Sequence, residues 1–250
     1  MSLYGVRAFP PLLENTPDLL TPSMETLELP QTEILQVMFE IDDGPMLELL
    51  PPALHPTLPP SVTFLFWRCS DGPLGPFSLA QVRLGCRAGT RGRGLPLASY
   101  CDSETATRAL RERWGYNCRP GIVRLRRGYD RIAASVMVAD DLVLQVSLLD
   151  PRVISGSDVQ YTANLNLARM LVEGVLTPRL VQVDPEYTFH RAERGRPAVE
   201  GFVAEAWSAA GVRPAWPVSA SFSRCDIVLP RIRFVTDPDV PALEGTAKLG

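Results

Sequence analysis

The sequence predicts a mainly β domain, a barrel-like sheet carrying a few short helices. Runs rich in β-branched and aromatic residues recur along most of the chain, the clearest being 61–68 (SVTFLFWR). Turn signals at Asp42–Asp43–Gly44, Gly128–Tyr129–Asp130 and Asp140–Asp141 separate such runs. Helical periodicity is confined to three short stretches, whereas a parallel βαβ sheet needs a helix after most strands. With 250 residues, one closed sheet of ordinary size is expected, hence a single domain over 1–250.

Residues 1–30 are rich in proline and acidic side chains and read as an extended arm. The run 33–41 (EILQVMFEI) has strand character, residues 42–44 turn the chain, and 45–50 form a short helix stopped by Pro51 and Pro52. After the strand at 61–68 come a turn-rich link at 72–76 and a strand near 77–87. Residues 90–94 (TRGRG) read as a loop, and with no helix following the Gly-x-Gly no phosphate cradle is expected. A short strand at 95–100 leads to a helix capped by Asp102 or Ser103 and running to about Trp114. Ala106, Leu110 and Trp114 recur there at helical spacing. Strands follow at 121–127, 131–138 and 142–149. Beyond them are a strand or loop at 161–170, a strand at 178–190, a helix near 199–210 and a closing strand at 224–236. Residues 237–250 read as a flexible tail.

Apolar residues at 46% and charged residues at 21% fit a soluble globular protein. A net charge of −3 without a dense basic stripe argues against a nucleic-acid partner, and Arg124, Arg126 and Arg127 read as a solvated strand face. No apolar run approaches the roughly 20 residues of a membrane span. Residues 1–11 lack the features of a secretory signal, so a cytoplasmic location is expected. Cys69, Cys86, Cys101, Cys118 and Cys225 are scattered without CxxC spacing, which reads as reduced thiols. With histidine only at His55 and His190, neither a metal nor another cofactor is expected. The single lysine is Lys248, so the body of the fold contains no side-chain primary amine.

The segment 110–119 (LRERWGYNCR) resembles the active-site stretch of the acetoacetate decarboxylase family. That stretch runs Gly-Arg-Glu, three variable residues, an aromatic, proline and then Lys-Lys; Arg111, Glu112 and Tyr116 match in order and spacing. Residues 49–54 (LLPPAL) are similar to the family's Leu-Pro-x-x-Leu signature, and 226–231 (DIVLPR) to its C-terminal strand. Residues 183–195, with His190, fit the strand before that one. The resemblance implies a conical β-barrel with a surrounding antiparallel sheet, a buried pocket and a homo-oligomer.

The departures carry equal weight. In the family, the first lysine of the pair forms an imine with the substrate ketone and the second depresses its pKa. Cys118 and Arg119 stand at those positions, and Asn117 replaces the proline. A thiol forms no imine, and a guanidinium stays protonated with a pKa above about 12. The family's pocket glutamate falls on Leu79, and its early arginine falls near Gln31 and Thr32.

Several candidates remain. Cys118 is a buried apolar filler, pocket lining, or a thiolate nucleophile or base activated by Arg119. Arg119 either clamps a substrate carboxylate and stabilises an enolate, or pairs with Glu112. Tyr116 and Tyr100 orient or protonate a substrate, or simply pack. Asn117 and Leu79 are expected on the substrate side. Glu112, with Arg111, reads as scaffold or as an acid–base group, and His190 as a structural histidine or a general base. The expected function is imine-free, lyase-type chemistry on a small carbonyl or enol compound, with a carbonyl or carboxylate group, in a biosynthetic setting. Decarboxylation, dehydration, tautomerisation and cyclisation all fit. The alternative is a non-catalytic small-molecule-binding or regulatory protein using the same pocket.

Overall fold

The computed structural model describes residues 4–6 and 15–249, so part of the expected N-terminal arm, 1–3 and 7–14, lies outside the described residues. Strand β1 (Leu27–Glu40) leads through α1 (Asp43–Leu49) and the two-residue β2 (His55–Pro56) to β3 (Ser61–Cys69). Strands β3, β4 (Phe77–Ala88) and β5 (Arg91–Cys101) run antiparallel in succession beside β1. Helix α2 (Glu104–Trp114) then delivers the chain to β6 (Cys118–Pro120), which lies parallel to β5. A meander follows, of β7 (Ile122–Arg127), β8 (Arg131–Val138) and β9 (Asp141–Ile154). The hairpin of β10 (Asn164–Val172) and β11 (Val175–Val183) returns to β5. Long strands β12 (Glu186–Phe202) and β13 (Trp216–Leu229) pair with each other and bring the chain back to β1. Strand β14 (Phe234–Thr236), α3 (Ala242–Gly245) and β15 (Thr246–Lys248) finish the edge beside β11.

Among the described residues all strands belong to one 15-stranded sheet, ordered β15-β14-β11-β10-β5-β4-β3-β1-β13-β12-β9-β8-β7, with β2 paired to β4 and β6 to β5 off this path. The sheet curls, so that β7 packs back over β3, β4 and β5. Its central strands are therefore buried on both faces, which is why 33–41 and 61–68 are nearly continuous in apolar residues. On the face that β7–β9 cover, termed outer only because it lies away from α2, Leu35, Val37, Phe64, Phe66, Val82 and Leu84 pack against Val123, Leu125, Ile132 and Val146. On the inner face Ile34, Leu65, Trp67, Leu79, Cys225 and Ile227 pack with Leu110, Trp114, Tyr116 and Cys118. Successive residues of each strand thus serve opposite cores.

Several local expectations change: residues 27–30 of the expected arm open β1, and the closing strand expected at 224–236 divides between β13 and β14. Arg91 to Gly94 is strand, part of β5, paired across to β4. The expected strand at 178–190 divides between β11 and β12, with Pro185 between them; proline has no N–H to give a ladder. Most of the predicted helix at 199–210 is not helical. Val199 and Phe202 pair with Val146 and Leu144 of β9, and only Ala204–Trp207 coils, as a 3-10 turn. Tertiary pairing there overrides local propensity. The expected tail at 237–250 contains α3 and β15, the latter paired to β14. Among the described residues, no helix is long and apolar enough to cross a membrane.

Candidate functional site

Helix α2 aims the 116–118 stretch. Ser103 caps it by accepting a hydrogen bond from the Ala106 amide at 3.3 Å. Ala106, Leu110 and Trp114 form its buried stripe, and the Trp114 indole donates to the Pro230 carbonyl at 2.7 Å. The helix ends at Gly115, whose φ of 69° is left-handed, and the Tyr116 amide closes back on the Leu110 carbonyl at 3.1 Å. A Cβ on Gly115 would meet the Ala168 Cβ at 3.0 Å. Both the backbone and the space therefore call for glycine. Gly115→Ala is expected to lower stability by about 1–2 kcal/mol, measured by urea denaturation; an unchanged midpoint would contradict this account of the turn. Beyond the turn, Arg111 donates to the Cys118 carbonyl at 2.9 Å, and Asn166 donates to the Trp114 carbonyl at 2.9 Å. These bonds tie β6 to α2 and the end of α2 to β10.

Above the apolar tier, the same inner face carries polar side chains. Gln36, Gln81, Arg83, Ser99, Asn164, Asn166 and Ser223 are all buried there. Gln36, Arg83, Asn164, Gln81 and Ser99 form one connected network, whereas Asn166 bonds the Trp114 carbonyl and Ser223 bonds Tyr161. Arg83 donates through Nη1 to Asn164 Oδ1 at 2.9 Å and to the Thr162 carbonyl at 3.1 Å, and through Nη2 to Gln36 Oε1 at 3.4 Å. Gln36 donates onward to the Gln160 carbonyl at 3.2 Å. In the other direction Asn164 donates to Gln81 Oε1 at 3.2 Å, Gln81 donates to Ser99 Oγ at 3.0 Å, and Ser99 donates to Asn117 Oδ1 at 2.9 Å.

Arg83 is the unusual member. It is 2% exposed, and among the described residues no carboxylate pairs with it. Burial works against its charge and lowers its pKa, while the phenols of Tyr187, Tyr116 and Tyr161 are the leading opposing influences. A guanidinium is nonetheless charged at neutral pH. Removing such a charge from water without a counter-ion is costly, so an anionic ligand would find a receptor already desolvated. Arg83 Nε and Asn166 Oδ1 are buried without a protein hydrogen-bond partner, and the buried Tyr116 hydroxyl lies beside Asn164. Burial raises the pKa of Tyr116, so its hydroxyl is a donor at neutral pH.

The sequence-predicted site residues divide between the two faces. Tyr116 and Cys118 are fully enclosed on the inner face. Burial pushes the Cys118 thiol well above its ordinary value, with Cys101 adding to the rise and Arg111 opposing it, so the expectation of a thiolate is not met. Arg119, one residue on, turns to the opposite face, as strand alternation requires. Its guanidinium donates to Ser208 Oγ at 3.0 Å and the Ala206 carbonyl at 3.5 Å, not to Glu112, and its Nε is buried without a hydrogen-bond partner. Tyr100 lies on that outer side too, donating to the Ala206 carbonyl at 2.7 Å, with its ring edge-on to Trp207. Asn117 joins the network and anchors to the Leu97 carbonyl at 2.9 Å. Leu79 lies in the inner apolar tier. Glu112 is on the exposed face of α2. His190 is exposed, with its Nε2 2.9 Å from Asp226 Oδ2, away from the network. Lys248 is exposed on the edge strand β15.

Arg83, Gln81, Asn164 and Asn166 escaped the sequence reading. A signal was there: Gln81 and Arg83 alternate with Ala80, Val82 and Leu84 in a strand flanked by apolar strands. Polar residues at period two in such a strand mark a polar interior. Among the described residues, no group of His, Cys, Asp or Glu could hold a metal ion. All five cysteines are free and buried.

A curled sheet with buried polar side chains on one face, entered by the strand after a capped helix, defines a barrel-like β fold. Residues 15–237 match the acetoacetate decarboxylase (ADC) family, and the chain belongs to that family. Among solved structures it is similar to acetoacetate decarboxylase from Legionella pneumophila subsp. pneumophila, with a TM-score of 0.75 at 18% identity over 90% of each chain. It is also similar to the enduracididine biosynthesis enzyme MppR complexed with pyruvate, with a TM-score of 0.67 at 16% identity over 86% of this chain and 91% of that one. An acetoacetate decarboxylase-like enzyme from Sphingomonas wittichii RW1 gives a TM-score of 0.65 at 15% identity, covering 86% and 93%. These likenesses are of fold. No curated protein matches the sequence.

Proposed function

We propose that this chain is a lyase-type enzyme that works on a small oxo acid without an imine, using Arg83 where its family uses an amine. The observation that carries the reading is the buried Arg83 guanidinium with no carboxylate partner among the described residues. A relative in fold is complexed with pyruvate, a carboxylate bearing a carbonyl, which is the ligand chemistry such a group suits.

The inner polar side chains are amides, hydroxyls and one guanidinium, groups that donate hydrogen bonds but do not accept a proton from carbon near neutral pH. Of the four reaction types considered, decarboxylation of a 3-oxo acid suits them best, because it needs no base. The bond to the carboxyl carbon breaks and carbon dioxide leaves. The electron pair of the broken bond stays with the substrate as an enolate, whose oxygen is held by Arg83 and the Tyr116 hydroxyl; water protonates its carbon to give the ketone, and the hydroxide left combines with carbon dioxide as bicarbonate. Preorganised donors aimed at such an oxyanion are commonly the largest catalytic contribution. We extend the reading to a cytoplasmic homo-oligomer, as family membership suggests.

Carbon dioxide release from a panel of 3-oxo acids tests this, with and without sodium borohydride. Turnover that survives borohydride, with no mass added to the protein, is expected. A reduced adduct would overturn the imine-free step. Binding without turnover across the panel would leave only the non-catalytic reading.

A further inference from the structure

The network that holds Arg83 also reaches the surface. Tyr187 and Phe189 are two residues apart on β12 and their rings stack with near-parallel planes, 6.0 Å between centroids and 20° between planes. Tyr161 leans against both, at 5.0 Å and 59° to Tyr187 and at 6.0 Å and 40° to Phe189. Its hydroxyl is fixed by Ser223 Oγ at 2.8 Å. These three rings form one wall of a groove of about 530 Å³, and Arg91, Arg93 and Thr162 also line it. Arg93 is tied to Asp184 at 3.1 Å, whereas Arg91 is exposed.

Thr162 connects this groove to the interior. It lines the groove, and its carbonyl accepts the 3.1 Å bond from Arg83. The partnerless charge therefore stands directly behind the groove wall. A carboxylate competing for Arg83 would take the place of a neutral carbonyl, exchanging an ordinary hydrogen bond for a charge-assisted one. The rest of such a ligand would then lie along the three rings. Tyr187 and Phe189, with nearly parallel planes, and the inclined Tyr161 make an aromatic cluster to which a further ring can add by offset or edge contact. The groove volume is in the range of small-molecule sites.

We propose that Tyr161, Tyr187 and Phe189 form an aromatic subsite, so that the ligand class is an aryl carboxylate: a planar ring joined by a short linker to the acid held by Arg83. This rests on the anion-receptor role of Arg83 given above and adds the specificity for the other end of the ligand.

The test is isothermal titration calorimetry with three acids of equal charge: propionate, 3-cyclohexylpropionate and 3-phenylpropionate. The expected result is that 3-phenylpropionate binds at least tenfold more tightly than either of the others, and that Phe189→Leu removes the difference. Equal affinity of the phenyl and cyclohexyl acids would overturn the aromatic subsite and leave Arg83 as the receptor. Undiminished binding of 3-phenylpropionate to Arg83→Met would overturn the Arg83 reading while the groove stood. Failure of all three acids to bind the wild-type protein would overturn both.

Discussion

Arg83→Met is expected to weaken binding of a small oxo acid by at least about 100-fold while leaving the protein folded. Each hydrogen bond to a charged group contributes about 1.5–3 kcal/mol, and a guanidinium offers a carboxylate two of them in parallel. Loss of both is about 3 kcal/mol or more, and tenfold in affinity corresponds to about 1.4 kcal/mol. Turnover should fall with it, because losing one preorganised oxyanion donor commonly lowers kcat by about 10²–10³. Stability should move far less. Methionine fills a similar volume and removes a buried charge whose desolvation costs several kcal/mol. Against that, Asn164 Oδ1, Gln36 Oε1 and the Thr162 carbonyl each lose a donor, at about 1–3 kcal/mol for a group left buried and unsatisfied. The two effects oppose each other, so the thermal midpoint should shift by only a few degrees. Calorimetric titration with pyruvate and thermal melting of the same preparations check both halves. Retained affinity would show that the anion is held elsewhere.

The strands were legible because their two-sided burial left nearly continuous apolar runs, as in β1 and β3, and α2 because its cap, stripe and terminal glycine all agree. The Glu173–Gly174 hairpin was equally readable in principle. Both residues have positive φ, 51° and 83°, and two such residues joining Val172 to Val175 make the turn favoured between twisted strands. What local pattern could not supply was partnership. The stretch 199–202 became strand because β9 was there to pair with it. The site was half legible for the same reason. The motif identified 116–119 but could not say which of two neighbours faced inward, and that depended on the register of β6 against Ser99 and Tyr100 of β5. Arg83 belonged to no motif. Its significance appears only when β1, β5 and β10 are set around it and none brings a carboxylate.

That division between faces gives the sharpest expected result after Arg83. Cys118→Lys should create an imine-forming site, and Arg119→Lys should not. At position 118 the side chain points into the buried inner face beside Tyr116. A lysine there loses solvation, its pKa falls, and a larger share of the amine is neutral and nucleophilic near neutral pH. Addition to the ketone of an oxo acid and loss of water give the imine, and borohydride reduces it to a secondary amine that stays on the protein. At position 119 the same amine would stand on the outer side among Ala206 and Ser208. The longer side chain at 118 costs about 1–3 kcal/mol through overpacking, so Cys118→Met serves as the size control and melting confirms that each variant folds. Mass spectrometry after borohydride with pyruvate should find the adduct in Cys118→Lys alone. A folded Cys118→Lys protein that traps nothing, or an adduct in Arg119→Lys, would mean that ligands do not reach the inner face at β6, and the chamber would have to be sought on the other side of the sheet.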